Sequence, residues 1–193
     1  IMFRIVQNKK RLTRLDENLT ADIVLAGKDS SLIFEQLMQQ WSSVPNPELS
    51  IVLVVSQAVA LLHQTNHWIA SGKSYFSDHK LYEELYADLF DYVDQLAEKA
   101  VGLGIDHNVD LHSRLQAVSK IISELYVPSG VPNNDILAER SLAGEFMLSR
   151  IINHAIKSMQ NLGSLTHGVS NLLEQLSDAR ESAIYKLRRR TTV

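Results

Sequence analysis

The 193-residue chain carries 19 Lys and Arg against 22 Asp and Glu, and a net charge of -3 excludes a surface that coats nucleic acid as a whole. Hydrophobic residues make up 45% and charged residues 21%, as in an ordinary globular protein, and the length fits one domain with an extension. The absence of cysteine excludes disulfides, zinc ribbons and thiol catalysis, so any metal site must use His, Asp, Glu or neutral oxygens.

Residues 1–28 read as a basic N-terminal extension, with Arg4, Lys9, Lys10, Arg11 and Arg14, and residues 29–193 as the folded domain. The segment "DSSLIFEQLMQQW" (29–41) predicts a short helix capped by Asp29 or Ser30. After the break "PNPELS", a long helix is expected from about 48 to 69. It is apolar on nearly all sides, which requires burial against its own bundle and against something further. Its longest apolar run, 51–62, is interrupted by Ser56 and Gln57 and is short for a bilayer span, so no membrane partner is expected. No cleavable leader pattern is recognised.

A second long helix is predicted over 77–102, capped by Ser77 or Asp78, then a turn at "GIDHNVD" and a modest helix at 111–125. The loop "VPSGVPNN" (127–134) precedes a helix at 135–161, and "LGSLTHG" leads into the last helix at 168–190. No strand alternation recurs. Four long helices with short extra ones predict an all-α four-helix bundle.

The 77–102 segment divides into three sectors at about 100° per residue. Leu81, Leu85, Leu89, Tyr92, Val93, Leu96 and Ala100 form a core-facing stripe, and Lys80, Glu84, Asp88, Asp91, Gln95 and Lys99 a water-facing one. The third holds His79, Glu83, Asp94 and Glu98 among Phe90, Ala97 and Val101, a pattern expected of a covered face. A carboxylate removed from water needs a partner, and a cation is an effective one. His79 and Glu83 are spaced i, i+4, as are Asp94 and Glu98, so each pair can reach one ion. Fifteen positions, about 22 Å, separate His79 from Asp94, so one helix cannot bring both pairs to one metal. A two-fold-related helix packed antiparallel can, giving two equivalent sites per dimer. Against this stands the ordinary reading, in which an i, i+4 acidic pair is solvated and His67 is a hydrogen-bonded structural histidine. His63, one turn before His67, is a further candidate ligand with a structural role as its alternative. His107, His112, His154 and His167 show no ligand spacing.

The segment "HWIASGKSYFSDHKLYEELYADLFDYVDQLAEKAVGLG" (67–104) resembles the Dps family, ferritin-like mini-cages named for DNA protection in starved cells. The likeness lies in His67-Trp68, the eleven residues before His79, the acidic residue at 83, then Asp94 and Glu98. It is clear over 50–104 and fainter over 135–190. The resemblance implies a ferritin-like bundle assembled as a hollow cage, a dodecamer built from two-fold dimers. It also implies an inter-subunit iron (Fe2+/Fe3+) site, with His67 and His79 from one chain and Asp94 and Glu98 from its partner. Glu83 matches an acidic position beside that site, where Asp is more usual, and Trp68 the neighbouring aromatic. No Glu-x-x-His motif of intrachain di-iron sites occurs. The implied activity is that of a ferroxidase, oxidation of Fe(II), preferably by hydrogen peroxide, with ferric storage and protection from oxidative stress. A cytoplasmic, nucleoid-associated location and DNA binding through the basic N-terminal tail follow from the same likeness. The long N-terminal extension, the expanded 103–134 segment and the terminal "RRR" depart from the family pattern. They leave an alternative, a Dps-like structural or DNA-binding cage with little turnover. The ordinary reading of the basic N-terminal stretch is a solvated terminus, and the C-terminal arginines have pairing with acidic residues of neighbouring chains as their alternative.

Overall fold

The computed structural model describes residues 30–105, 110–125 and 133–191. Six helices make up the described fold: α1 (Ser30–Gln40), α2 (Pro47–Ile69), α3 (Tyr75–Gly102), α4 (Leu111–Leu125), α5 (Asn134–Leu162) and α6 (His167–Thr191). The expected all-α bundle is therefore present. The N-terminal extension, residues 1–28, lies outside the described residues, as do Asp29, His107 and most of the 127–134 loop.

Local chemistry sets the helix ends. Pro47 opens α2 where its missing N–H costs nothing. The Asn133 side chain caps α5 by accepting from the Ile136 N–H at 2.9 Å. Gly163 ends α5 at φ 67°, a left-handed conformation that glycine adopts without Cβ strain. The cap of α3 differs from expectation. The helix starts at Tyr75 behind a single 3-10 turn, Gly72–Ser74, and Asp78 lies inside its first turn, fully buried.

The short α2–α3 and α5–α6 links make two antiparallel hairpins, joined by a long crossover that carries α4. α2 is the central element, packed against α3, α5, α4 and α1. Its apolar character all round is thus answered within the chain: α4 and α1 cover the sides that the bundle leaves. α2 is long and apolar enough to cross a membrane, yet 78% of its most apolar window is buried inside the fold. At Gly144 a Cβ would lie 3.2 Å from the Leu62 side chain, so the missing side chain lets α2 and α5 approach closely.

Two apolar clusters fill the bundle. The larger includes Leu62, Leu89, Leu148 and Leu176; the smaller includes Tyr82, Leu85, Leu142 and Ile184. Between them runs a polar layer contributed by all four long helices. Asn66 Nδ2 donates to Ser141 Oγ at 2.8 Å, and Ser141 Oγ lies 3.2 Å from His63 Nδ1. His63 Nε2 donates to Glu145 Oε1 at 2.8 Å, and Arg180 Nη1 reaches the same oxygen at 3.0 Å. Arg180 Nη2 donates to Asp88, the one member with a partly exposed side chain. Burial raises the Glu145 carboxyl above its usual range, with the His63 hydrogen bond pulling it back. Burial lowers the Arg180 guanidinium to about 10, which leaves it charged at neutral pH. The structural reading of His63 is the one this layer supports.

Candidate metal centre

The end of α2 and the start of α3 bring His67 and His79 face to face. Their rings stack with centroids 3.7 Å apart and planes 22° from parallel. His67 Nδ1 lies 2.9 Å from the His79 carbonyl oxygen, and His79 Nδ1 lies 2.9 Å from the His67 carbonyl oxygen. A carbonyl only accepts, so both Nδ1 atoms carry the proton. Each Nε2 then keeps its lone pair in the neutral ring, the form a metal ion needs.

Glu83 stands one turn beyond His79 on α3. Its carboxyl is held below the usual range, chiefly by the hydrogen bond and charge of Lys80, whose Nζ lies 2.8 Å from Oε2. The fields of His67 and His79 act in the same direction, so Glu83 is within electrostatic reach of both rings. Tyr86 meets the His67 ring edge-on at 5.3 Å, Tyr75 packs on His79 at 4.9 Å, and Phe90 follows Tyr86. Tyr86 follows His79 by seven residues, two helical turns, and so shares its sector, the one sequence signal that points to it.

Asp94 and Glu98 lie about four and five turns beyond His79 along the same sector, both exposed. The rise of the helix keeps Asp94 about 22 Å from His79, so within one chain the two pairs do not meet. Among the described residues, no group of three or more His, Asp or Glu side chains is close enough to hold a metal ion. The sequence pattern predicts a covered face, yet both of its ends are open: beside the histidines Trp68 is 67% exposed, Phe76 83% and Tyr75 nearly half, and beyond Glu98 Val101 is nearly half exposed. Tyr86 and Phe90, between the two pairs, are half-buried. Apolar side chains exposed this far beside potential ligands form a patch of the kind found at interaction sites and ligand grooves. His154, by contrast, stacks on Phe34 at 5.6 Å between α5 and α1, a packing role.

The fold belongs to the class of ferritin-like four-helix bundles. Dps from Thermosynechococcus elongatus superposes with a TM-score of 0.66 at 17% identity, covering 86% of this chain and 96% of that one. Dps from Vibrio cholerae, described as a member of a broad superfamily of ferritin-like diiron-carboxylate proteins, gives 0.65 at 19% identity, with 86% and 94% covered. In sequence, the chain is 25% identical over 139 residues to the nutrient stress-induced DNA-binding protein of Nostoc, 72% of each chain. It is 29% identical over 79 residues to general stress protein 20U of Bacillus subtilis, 38% of this chain and 54% of that protein. No protein-family model matches. The resemblance to Dps proteins drawn from residues 67–104 thus holds in both fold and sequence.

Proposed function

We propose that the chain is a Dps-like ferroxidase, in which His67, His79 and Glu83 of one subunit and Asp94 and Glu98 of a two-fold partner bind Fe(II) as substrate. The observation that carries this reading is the His67–His79 clasp, which commits both Nδ1 atoms to backbone carbonyls and leaves both Nε2 lone pairs out of it, at the edge of an exposed aromatic face. The same face carries the exposed carboxylates at its other end, and antiparallel pairing of α3 with its copy brings the two sets together. Imidazole and carboxylate ligands bind Fe(II) and stabilise the harder Fe(III) product. Two Fe(II) ions each give one electron to hydrogen peroxide, which takes up two protons and leaves as two waters. The aromatic collar of Trp68, Tyr75 and Tyr86 limits water at the site once the partner is in place.

Iron storage in a dodecameric cage, a cytoplasmic location and a separate role for residues 1–28 belong to the same proposal. The name of the Nostoc relative supports a second reading, a DNA-binding cage with little turnover. Here the basic N-terminal residues bind phosphate by releasing counterions, with an affinity that falls steeply with salt.

The test is Fe(II) oxidation by hydrogen peroxide, comparing the wild type with Asp94→Ala/Glu98→Ala, alongside native mass. Rapid oxidation lost in the variant, with both assembled alike, supports the shared site. An assembled wild type that oxidises no faster than buffer sinks it and leaves the DNA-binding reading.

A further inference from the structure

The end of α6 reaches back to the turn that sets the two histidines. Residues 70–74, the Ser-Gly break between His67 and His79, contain a 3-10 turn with no buried residue of its own. With Ala70 as its one buried residue, that link offers the first turn of α3 little packing. It is held instead from two sides by residues distant in sequence. Asn134, which opens α5, accepts from the Ser71 N–H at 3.1 Å and donates to the Ser71 carbonyl and to Ser74 Oγ. Arg190, in the last turn of α6, grips Asp78 through Nε to Oδ1 at 2.7 Å and Nη2 to Oδ2 at 3.1 Å, and reaches Asp135 Oδ1 with Nη1 at 2.9 Å. Asp78 also accepts from Ser74 Oγ at 2.7 Å.

Asp78 is fully buried and immediately precedes His79. A buried carboxylate is tolerable only when paired, and the planar guanidinium fork matches both of its oxygens at once. A lysine ammonium, a single point of charge, cannot reproduce that grip. The clasp meanwhile requires two backbone carbonyls and two rings to meet within hydrogen-bonding distance, so the height and rotation of the first turn of α3 must be fixed against the end of α2.

We infer that Arg190 is a positioning residue for the iron site: by holding Asp78 it fixes the first turn of α3 and so sets the two Nε2 atoms of the His67–His79 pair. Its consequence for iron rests on the ferroxidase reading above; the clamp itself does not. The terminal arginine is thereby accounted for within the chain rather than by a neighbouring one.

Full-length assembled protein is compared as wild type, Arg190→Ala, Arg190→Lys and Arg189→Ala, the last removing the same charge from an exposed neighbour. Two readouts are taken, amide hydrogen exchange by peptide and the Fe(II) dependence of peroxide-driven oxidation. For Arg190→Ala, exchange over 72–80 rises by about tenfold, and half-saturating Fe(II) rises about fivefold while the maximal rate changes by less than about twofold. Arg190→Lys falls between, and Arg189→Ala matches the wild type. Equal behaviour of Arg190→Ala and Arg189→Ala in exchange overturns the proposal. So does a rise in exchange spread over α2, α5 and α6, which marks a residue of global stability. Should Arg190→Ala not assemble, Arg190→Lys decides on the same grounds, by whether its faster exchange is confined to 72–80. A wild type without iron oxidation removes the ferroxidase reading, while exchange over 72–80 still decides the clamp.

Discussion

His67 and His79 each donate Nδ1–H to the other's backbone carbonyl at 2.9 Å, and their rings stack 3.7 Å apart, so each ring is packed against the other. Their effects on iron should therefore not add. His67→Ala removes a ligand and the ring on which His79 stacks, and His79→Ala does the same in reverse, although each keeps the backbone carbonyl that accepts the other's Nδ1–H. The double variant should raise half-saturating Fe(II) by less than the product of the two single effects. Additive losses across this mutant cycle, read in peroxide-driven oxidation, would show that the rings act independently.

With Nδ1–H committed to a carbonyl, a proton and a metal ion compete for the same Nε2 atom. Protonated imidazole does not bind metal, so iron affinity falls as the pH falls, and binding at acid pH releases protons. The dependence should approach about tenfold per pH unit for each histidine that must lose a proton. Anaerobic Fe(II) titration calorimetry in buffers of different ionisation heat counts those protons. A count near zero at acid pH would show that these histidines are not ligands.

Trp68 and Phe76 project from the clasp into open solvent, beside a stretch of α3 lined by Phe90 and Val101. If α3 pairs with its copy there, carboxylates at these positions should separate the subunits by placing unpaired charge in the interface. Trp68→Glu/Phe76→Glu should have the mass of a smaller species and lose iron oxidation with all five proposed ligands unchanged. A variant that keeps the wild-type native mass would place the subunit contact elsewhere.

Much of this architecture was legible in the sequence. The four long helices fall within a few residues of their periodic segments, because an amphipathic stripe such as Leu85, Leu89 and Leu96 records the face that the core must take. The sector holding His79, Glu83, Asp94 and Glu98 was legible for the same reason. Interactions between helices left no such record. Asp78 was expected as a cap because Asp favours helix starts, yet its partner is Arg190, 112 residues away. Asp88 was placed among water-facing residues and is indeed partly exposed, but its carboxylate holds a guanidinium that comes from the core. The open state of the Asp94–Glu98 face belongs to the single chain; residue spacing records that a face needs cover without recording who supplies it.

The polar layer of His63, Glu145 and Arg180 sets the last expectation, for stability rather than turnover. Side chains of Glu145 and Arg180 are wholly buried, so deleting Arg180 leaves the Glu145 carboxyl with His63 alone, and deleting Glu145 leaves the Arg180 guanidinium with Asp88 alone. Arg180→Ala should cost about 3–5 kcal/mol, as breaking a buried pair generally does. Replacing the members together with apolar residues of similar volume, as in His63→Leu/Glu145→Leu/Arg180→Met, removes the desolvation cost along with the attraction. It should recover most of that loss or exceed the wild type, because paired charges inside a protein rarely outperform good packing. Thermal unfolding of the assembled proteins separates the outcomes. A triple variant no more stable than Arg180→Ala would show that the layer stabilises the bundle by its own hydrogen bonds, beyond mutual neutralisation.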